Sequence, residues 1–170
     1  MTDEELARAH LAGDRAAFRE LVVRYQARLV TLLYRYTRDQ MIAEDLGQDA
    51  FLRFYRALPR LDLSQPLKPY LFQIAVNAAR DWARRGGSKD IALEDAEDWA
   101  DENVRDVDES LSLEDALMRL PLIYREAVTM HYQMELGYAD IAQALGVSEE
   151  TVRTRLRRAL EQLRKIMKEK

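Results

Sequence analysis

The chain is 170 residues long, room for one domain or two small ones, and its 48% apolar and 33% charged content suits packed helices with solvated faces. Zero cysteines exclude disulfides, cysteine-bound zinc and thiol redox sensing. No apolar run approaches the ~20 residues of a membrane span, and Met1-Thr-Asp-Glu-Glu5 is no signal peptide, so a cytoplasmic protein without membrane insertion is expected. The net charge of −4 is unevenly spread: residues 1–85 hold 14 basic and 11 acidic side chains, 86–115 hold 2 and 12, and 147–170 hold 8 and 4. With only 6 Gly and 4 Pro and no β-branched alternation, an all-α fold is expected.

Thr2 with Glu5 fits a capping box for a short first helix. Asp14 is placed to cap a long second helix, with Phe18, Leu21, Val22, Tyr25, Leu29, Leu32, Leu33 and Tyr36 at helical spacing. A third helix is predicted from about Ile42 to Leu58, apolar at Leu46, Ala50, Phe51, Phe54 and Leu58, and stopped by Pro59. Pro59 to Pro69 reads as a loop. A fourth helix follows from Tyr70 to about Arg85, ended by Gly86-Gly87-Ser88. Residues 86–110 are acidic, poor in large apolar groups and without periodicity, the composition of a flexible tether.

The second half, 111–170, opens with a helix through Leu113, Leu117 and Leu120 that breaks at Pro121, then one from about Leu122 to Met134. Tyr138–Leu145 must end at Gly146, the residue best suited to a left-handed helix terminus. Ser148 can cap the last helix, with Glu149 and Glu150 in its first turn. Two helices about so short a turn form a helix-turn-helix, whose second member can enter the DNA major groove.

Along that last helix Val152, Leu156, Leu160, Leu163 and Met167 share one face, expected to pack inward. The opposite arc carries Glu150, Thr151, Arg153, Thr154, Arg157 and Arg158, with Arg155 at its edge. Arginine forks onto guanine or neutralises phosphate, and threonine reaches bases or backbone. The fourth helix has the same two-sided design. Leu71, Ile74, Ala75, Ala78 and Trp82 face one way; Gln73, Asn77, Arg80 and Arg84, followed by Arg85, face the other. Leu67, Tyr70 and Phe72 are candidates for stacking on unpaired bases.

On the third helix Asp45, Gln48, Asp49 and Leu52 fall at i, i+3, i+4 and i+7. This acidic ridge is unsuited to DNA and reads either as a solvated face or as a protein-docking surface. No nucleophile–base pair, phosphate loop or metal-ligand cluster is present in the sequence, and His10 and His131 read as ordinary helix positions. No enzyme activity, cofactor or metal is therefore expected. The residues leave three readings open: a protein with two separate nucleic-acid faces, a stand-alone repressor or activator, and a protein-binding adaptor. The Gln73/Asn77/Arg80/Arg84 line favours the first, because neither rival needs a second nucleic-acid face.

Four blocks in order resemble the extracytoplasmic-function (ECF) subgroup of bacterial sigma-70-type sigma factors: Leu11–Tyr25, Ala43–Leu58, Pro69–Arg85 and Leu120–Arg164. The resemblance implies a sigma2-like four-helix domain (1–85) and a sigma4-like helix-turn-helix domain (111–170), joined by the acidic linker (86–110). It implies a protein that binds core RNA polymerase at the β′ clamp helices and the β flap, reads −35 and −10 promoter elements, and assists melting. Asp45, Gln48, Asp49, Phe51, Leu52 and Tyr55 would meet the polymerase. Tyr70, Gln73, Asn77, Arg80, Arg84 and Arg85 would face the −10 element, and Ser148, Thr151, Arg153, Thr154, Arg157 and Arg158 the −35 element. The Pro59–Pro69 loop matches the segment that captures a flipped base. Tyr70 stands where the family often has Trp, and Leu67 where it often has Phe. The resemblance also implies an anti-sigma partner. About 24 linker residues reach ~80 Å fully extended and average ~27 Å as a coil, against ~50–55 Å between the two elements. The linker is thus expected to be stretched on the promoter, with its acidic charge suited to the polymerase RNA channel.

Overall fold

The computed structural model describes residues 1–87 and 112–168, which contain eight α-helices and no strand. The acidic segment lies outside these residues apart from Gly86 and Gly87, and its reading as a stretched, channel-lying tether lies there with it.

Local chemistry sets the helix ends. α1 (Asp3–Leu11) opens on a reciprocal capping box, Glu5 N–H donating to Thr2 Oγ1 (3.1 Å) and Thr2 N–H to Glu5 Oε2 (2.7 Å). Asp14 caps α2 (Arg15–Thr37) through Ala16 N–H at 2.9 Å. α3 (Gln40–Ala57) starts about two residues before the sequence reading, because Asp39 accepts from Ile42 N–H at 3.1 Å. A single 3₁₀ turn, Leu58–Arg60, carries Pro59.

α4 (Lys68–Trp82) also starts two residues earlier than expected. Pro69 falls in the first turn, where its missing N–H costs nothing, and Leu67 N–H donates instead to Glu4 Oε1 at 2.9 Å. The helix runs into a π turn, Ala83–Gly87, broken by Gly86 at φ 91°. The second half holds α5 (Leu113–Arg119), with an unforeseen capping box of Ser112 and Asp115, and α6 (Leu122–Val128), which continues into a π turn, Thr129–Gln133. α7 (Tyr138–Leu145) ends at Gly146 with φ 69°, and α8 (Glu149–Lys168) follows.

α2, α3 and α4 pack together, and α6, α7 and α8 do likewise. The two groups are not separate in space. α4 packs along α7, α2 meets α6, and one continuous buried core includes Leu29, Phe54 and Phe72 from the first half and Met130, Ile141 and Val152 from the second. Two small domains read one at a time miss this junction. α4 buries Leu71, Ala75 and Ala78 as expected, and also Phe72, Val76 and Ala79, while Ile74 and Trp82 of the expected face stay half-buried.

Polar groups lock the same junction. Arg35, 1% exposed, donates to Glu114 and, at 3.1 Å, to Gln133 Oε1. The Tyr36 hydroxyl donates to the buried Glu126 carboxylate, and Arg38 Nη2 to the Met118 carbonyl at 3.1 Å. Burial and the charge of Arg28 push the Lys68 ammonium down from its usual range, while Glu135, Asp3 and Asp140 oppose the shift.

Candidate nucleic-acid interface

Three surfaces carry the predicted functional residues. On α8 the inward row is Val152, Leu156, Ala159, Leu163 and Ile166. Leu160 and Met167, expected in that row, lie half-buried at its edge, because the buried line runs at i, i+4, i+7, i+11 and i+14. Ser148 caps the helix, accepting from Thr151 N–H at 3.1 Å, and its hydroxyl lies 2.9 Å from that of Thr151. Arg153, Arg157 and Arg158 are exposed and Thr151 and Thr154 half-exposed, so the arc predicted to face a −35 element is open to solvent. Its charges are tempered along the helix by Arg153–Glu150 at 3.6 Å and Arg157–Glu161 at 3.7 Å. Such surface pairs are weak and give way readily to phosphate.

Arg155 behaves differently. Its side chain is 19% exposed and points back to Glu126, 3.7 Å away and 4% exposed. The same carboxylate accepts from Tyr36. Arg155 therefore belongs to the packing that holds α8 in place, and spacing alone could not separate it from its outward neighbours.

α4 forms the second surface. Asn77, Arg84 and Arg85 are exposed; Tyr70, Gln73 and Arg80 are half-buried. Leu67 and Phe72 are corrections: at 1% and 0% exposure they are core residues and cannot stack on a base. Phe72 instead meets Tyr25 edge-on at 6.3 Å, which leaves Tyr70 as the aromatic available there. Arg84 is drawn to Asp81 (3.4 Å), which also binds Arg53 (3.0 Å). Arg53 in turn reaches Asp49 at 3.0 Å, and its hydrogen bond to Asp81 holds the guanidinium above its ordinary range. This chain of ion pairs joins the third helix to the fourth.

The ridge on α3 is the third surface. Asp45, Gln48, Leu52 (54% exposed) and Tyr55 (49%) project outward. Asp49 is half-occupied by Arg53, and Phe51, at 8%, belongs to the core. Beside the ridge, α2 and α3 frame an open apolar groove of about 1270 Å³, floored by Phe51 and walled by Val23, Val30, Tyr34, Leu52 and Tyr55. Glu114 and Gln133 of the second half close one end. Tyr55 is set by Phe18 (5.0 Å, edge-on) and by His10 (5.1 Å). The sequence marked the ridge but not the groove, whose lining comes from residues far apart in the chain, Phe18 to Gln133. Among the described residues no cluster of three His, Cys, Asp or Glu is placed to hold a metal ion, and no helix is long and apolar enough to cross a membrane.

Comparison with known proteins identifies the family. Residues 21–89 match the family model for sigma-70 region 2, and residues 110–163 match that for sigma-70, region 4. The ECF RNA polymerase sigma factor SigM of Mycobacterium tuberculosis (strain H37Rv) is 36% identical over 98% of the chain and 85% of its own length. The ECF RNA polymerase sigma-E factor of Haemophilus influenzae is 34% identical over 96% of the chain and 94% of its own. Among solved structures, CnrH in complex with the cytosolic domain of CnrY superposes with a TM-score of 0.74 at 25% identity, covering 98% of this chain and 97% of that one.

Proposed function

The chain belongs to the ECF sigma factors of RNA polymerase, and from that premise we propose that its three surfaces divide one task. The α3 ridge of Asp45, Gln48, Leu52 and Tyr55 docks the β′ clamp helices of core polymerase. The α4 face of Tyr70, Gln73, Asn77, Arg80, Arg84 and Arg85 reads the −10 element and holds its melted strand. The α8 arc of Ser148, Thr151, Arg153, Thr154, Arg157 and Arg158 reads the −35 element, with the second half (111–170) also meeting the β flap and the first half (1–85) containing both other surfaces. The protein acts in the cytoplasm and does no bond chemistry of its own; the polymerase supplies it.

The observation that carries this reading is the pairing of two outward cationic faces, on α4 and α8, with an acidic, partly apolar ridge on α3, which precedes both in the chain. A phosphate-binding face needs neither leucine nor aspartate, whereas exposed Leu52 and Tyr55 beside Asp45 suit a protein partner with basic and apolar groups. The groove next to the ridge is the favoured site for an anti-sigma partner, because an occupant there would cover Leu52 and Tyr55 and so compete with polymerase. CnrH, of similar fold, is bound by the cytosolic domain of CnrY.

Run-off transcription with core polymerase and a library of promoter fragments tests the proposal. Specific transcripts that depend on the added chain are expected. A folded chain that binds core yet starts no transcript from any fragment would remove the promoter assignment.

A further inference from the structure

Arg153 is held from two sides. Its guanidinium carbon lies 5.5 Å from the centroid of the Tyr138 ring, and its Nη1 lies 3.6 Å from Glu150 Oε2 on the same helix. Tyr138 is the first residue of α7, so this contact ties the two helices of the helix-turn-helix together across the Gly146 turn. The ring is itself braced. The His131 imidazole lies 5.3 Å from it, and Tyr132 meets that imidazole edge-on at 4.7 Å. His131 Nδ1 is 2.9 Å from the Leu136 carbonyl, which fixes the imidazole plane. Arg153, its side chain 57% exposed, thus lies over one ring that a second ring braces.

An exposed arginine samples many rotamers, whereas forked recognition of guanine O6 and N7 needs one. An aromatic face is a good restraint, because it attracts the cation without using any of its five N–H donors. We propose that Tyr138 is a positioning residue for −35 recognition, its ring setting where Arg153 presents its guanidinium. The selectivity of one base pair then depends on a side chain in the neighbouring helix. The inference rests on the reading of Arg153 as a −35 contact.

The test uses the full chain bound to core polymerase, with promoter fragments randomised in the −35 element and the enrichment of each base read position by position. Arg153→Ala is expected to lose discrimination at one base pair. Tyr138→Leu is expected to lose about three- to fivefold of it at that same base pair and none elsewhere, the size of a solvent-facing cation–π contact. Tyr138→Phe should keep it, and Tyr138→Leu with Arg153→Ala should match Arg153→Ala alone. Undiminished discrimination in Tyr138→Leu, or a loss spread evenly over every position, overturns the proposal while Arg153 keeps its role. An unchanged profile in Arg153→Ala removes the role of Arg153 and the proposal with it. Should leucine lower the thermal midpoint, Tyr138→Met, flexible and of similar bulk, repeats the comparison.

Discussion

Arg125 on α6 donates from Nη1 to the backbone carbonyl of Arg35 near the end of α2, at 2.7 Å. The same guanidinium reaches the carbonyls of Leu117 (3.2 Å), Met118 (3.1 Å) and Leu120 (2.8 Å), so one 4%-exposed side chain serves four backbone acceptors on two halves of the chain. The Leu117 carbonyl also accepts from Leu120 N–H and the Met118 carbonyl from Arg38, both at 3.1 Å, so Arg125 reinforces bonds that already close the end of the short α5. Arg125→Met keeps the bulk and removes all four of these hydrogen bonds. It is expected to lower stability by about 3 kcal/mol and the thermal midpoint by about 10 °C, as read by circular dichroism. A change within 2 °C would mean that water replaces the guanidinium at little cost.

Leu52 and Tyr55 are exposed, so truncating them leaves the core intact. Leu52→Ala with Tyr55→Ala is expected to weaken binding to core polymerase by about thirtyfold, the effect of losing a central apolar anchor. The thermal midpoint should hardly move. Titration of labelled polymerase with wild type and variant decides it, and equal affinities would place the docking surface elsewhere.

Arg80→Ala with Arg84→Ala should abolish open-complex formation while binding to core persists. Permanganate reactivity of unpaired thymines, alongside a core-binding titration, separates the two steps. If melting is retained, the α4 face is not the one that holds the opened strand.

Tyr25 gives a pH prediction. Its phenol is 5% exposed and donates to Asp3, which also pairs with Arg24 at 2.6 Å. Burial foremost, then the hydrogen bond to Asp3 and that carboxylate's charge, push the phenol well above its ordinary value near 10. The folded state therefore holds this proton more tightly than the unfolded one. Its contribution is complete below about pH 10 and shrinks above it, by up to about 1.4 kcal/mol per pH unit. Tyr25→Phe should be about 1 kcal/mol less stable at pH 7, with the gap to wild type closing between pH 10 and 11. Urea midpoints that run parallel across that range would refute the assignment.

The helix ends were legible where a single side chain does the work. Thr2 with Glu5, Asp14, Pro59 and Gly146 each act within four residues of themselves, and each was placed from the sequence. Asp39 and Ser112 act over the same range, yet the apolar rows that follow them set only the approximate starts of those helices and do not single out the capping side chain. The outward residues of α8 followed from period 3.6 alone. Arg35, Tyr36, Arg125 and Glu126 could not be read that way: nothing in their spacing distinguishes a charge aimed at solvent from one aimed at a partner 79 to 98 positions along the chain. The same blindness put Leu67 and Phe72 among the base-stacking candidates, since a large apolar side chain at the start of a cationic helix reads alike whether it is buried or bare.

Gly87 is pressed against Trp82, and a methyl group added there would lie 2.3 Å from the indole. Trp82, the last residue of α4, is one of only two tryptophans in the chain. Its emission is therefore a built-in optical probe at the end of the helix proposed to grip opened DNA, and its spectrum and quenching should follow promoter engagement in real time without any attached dye.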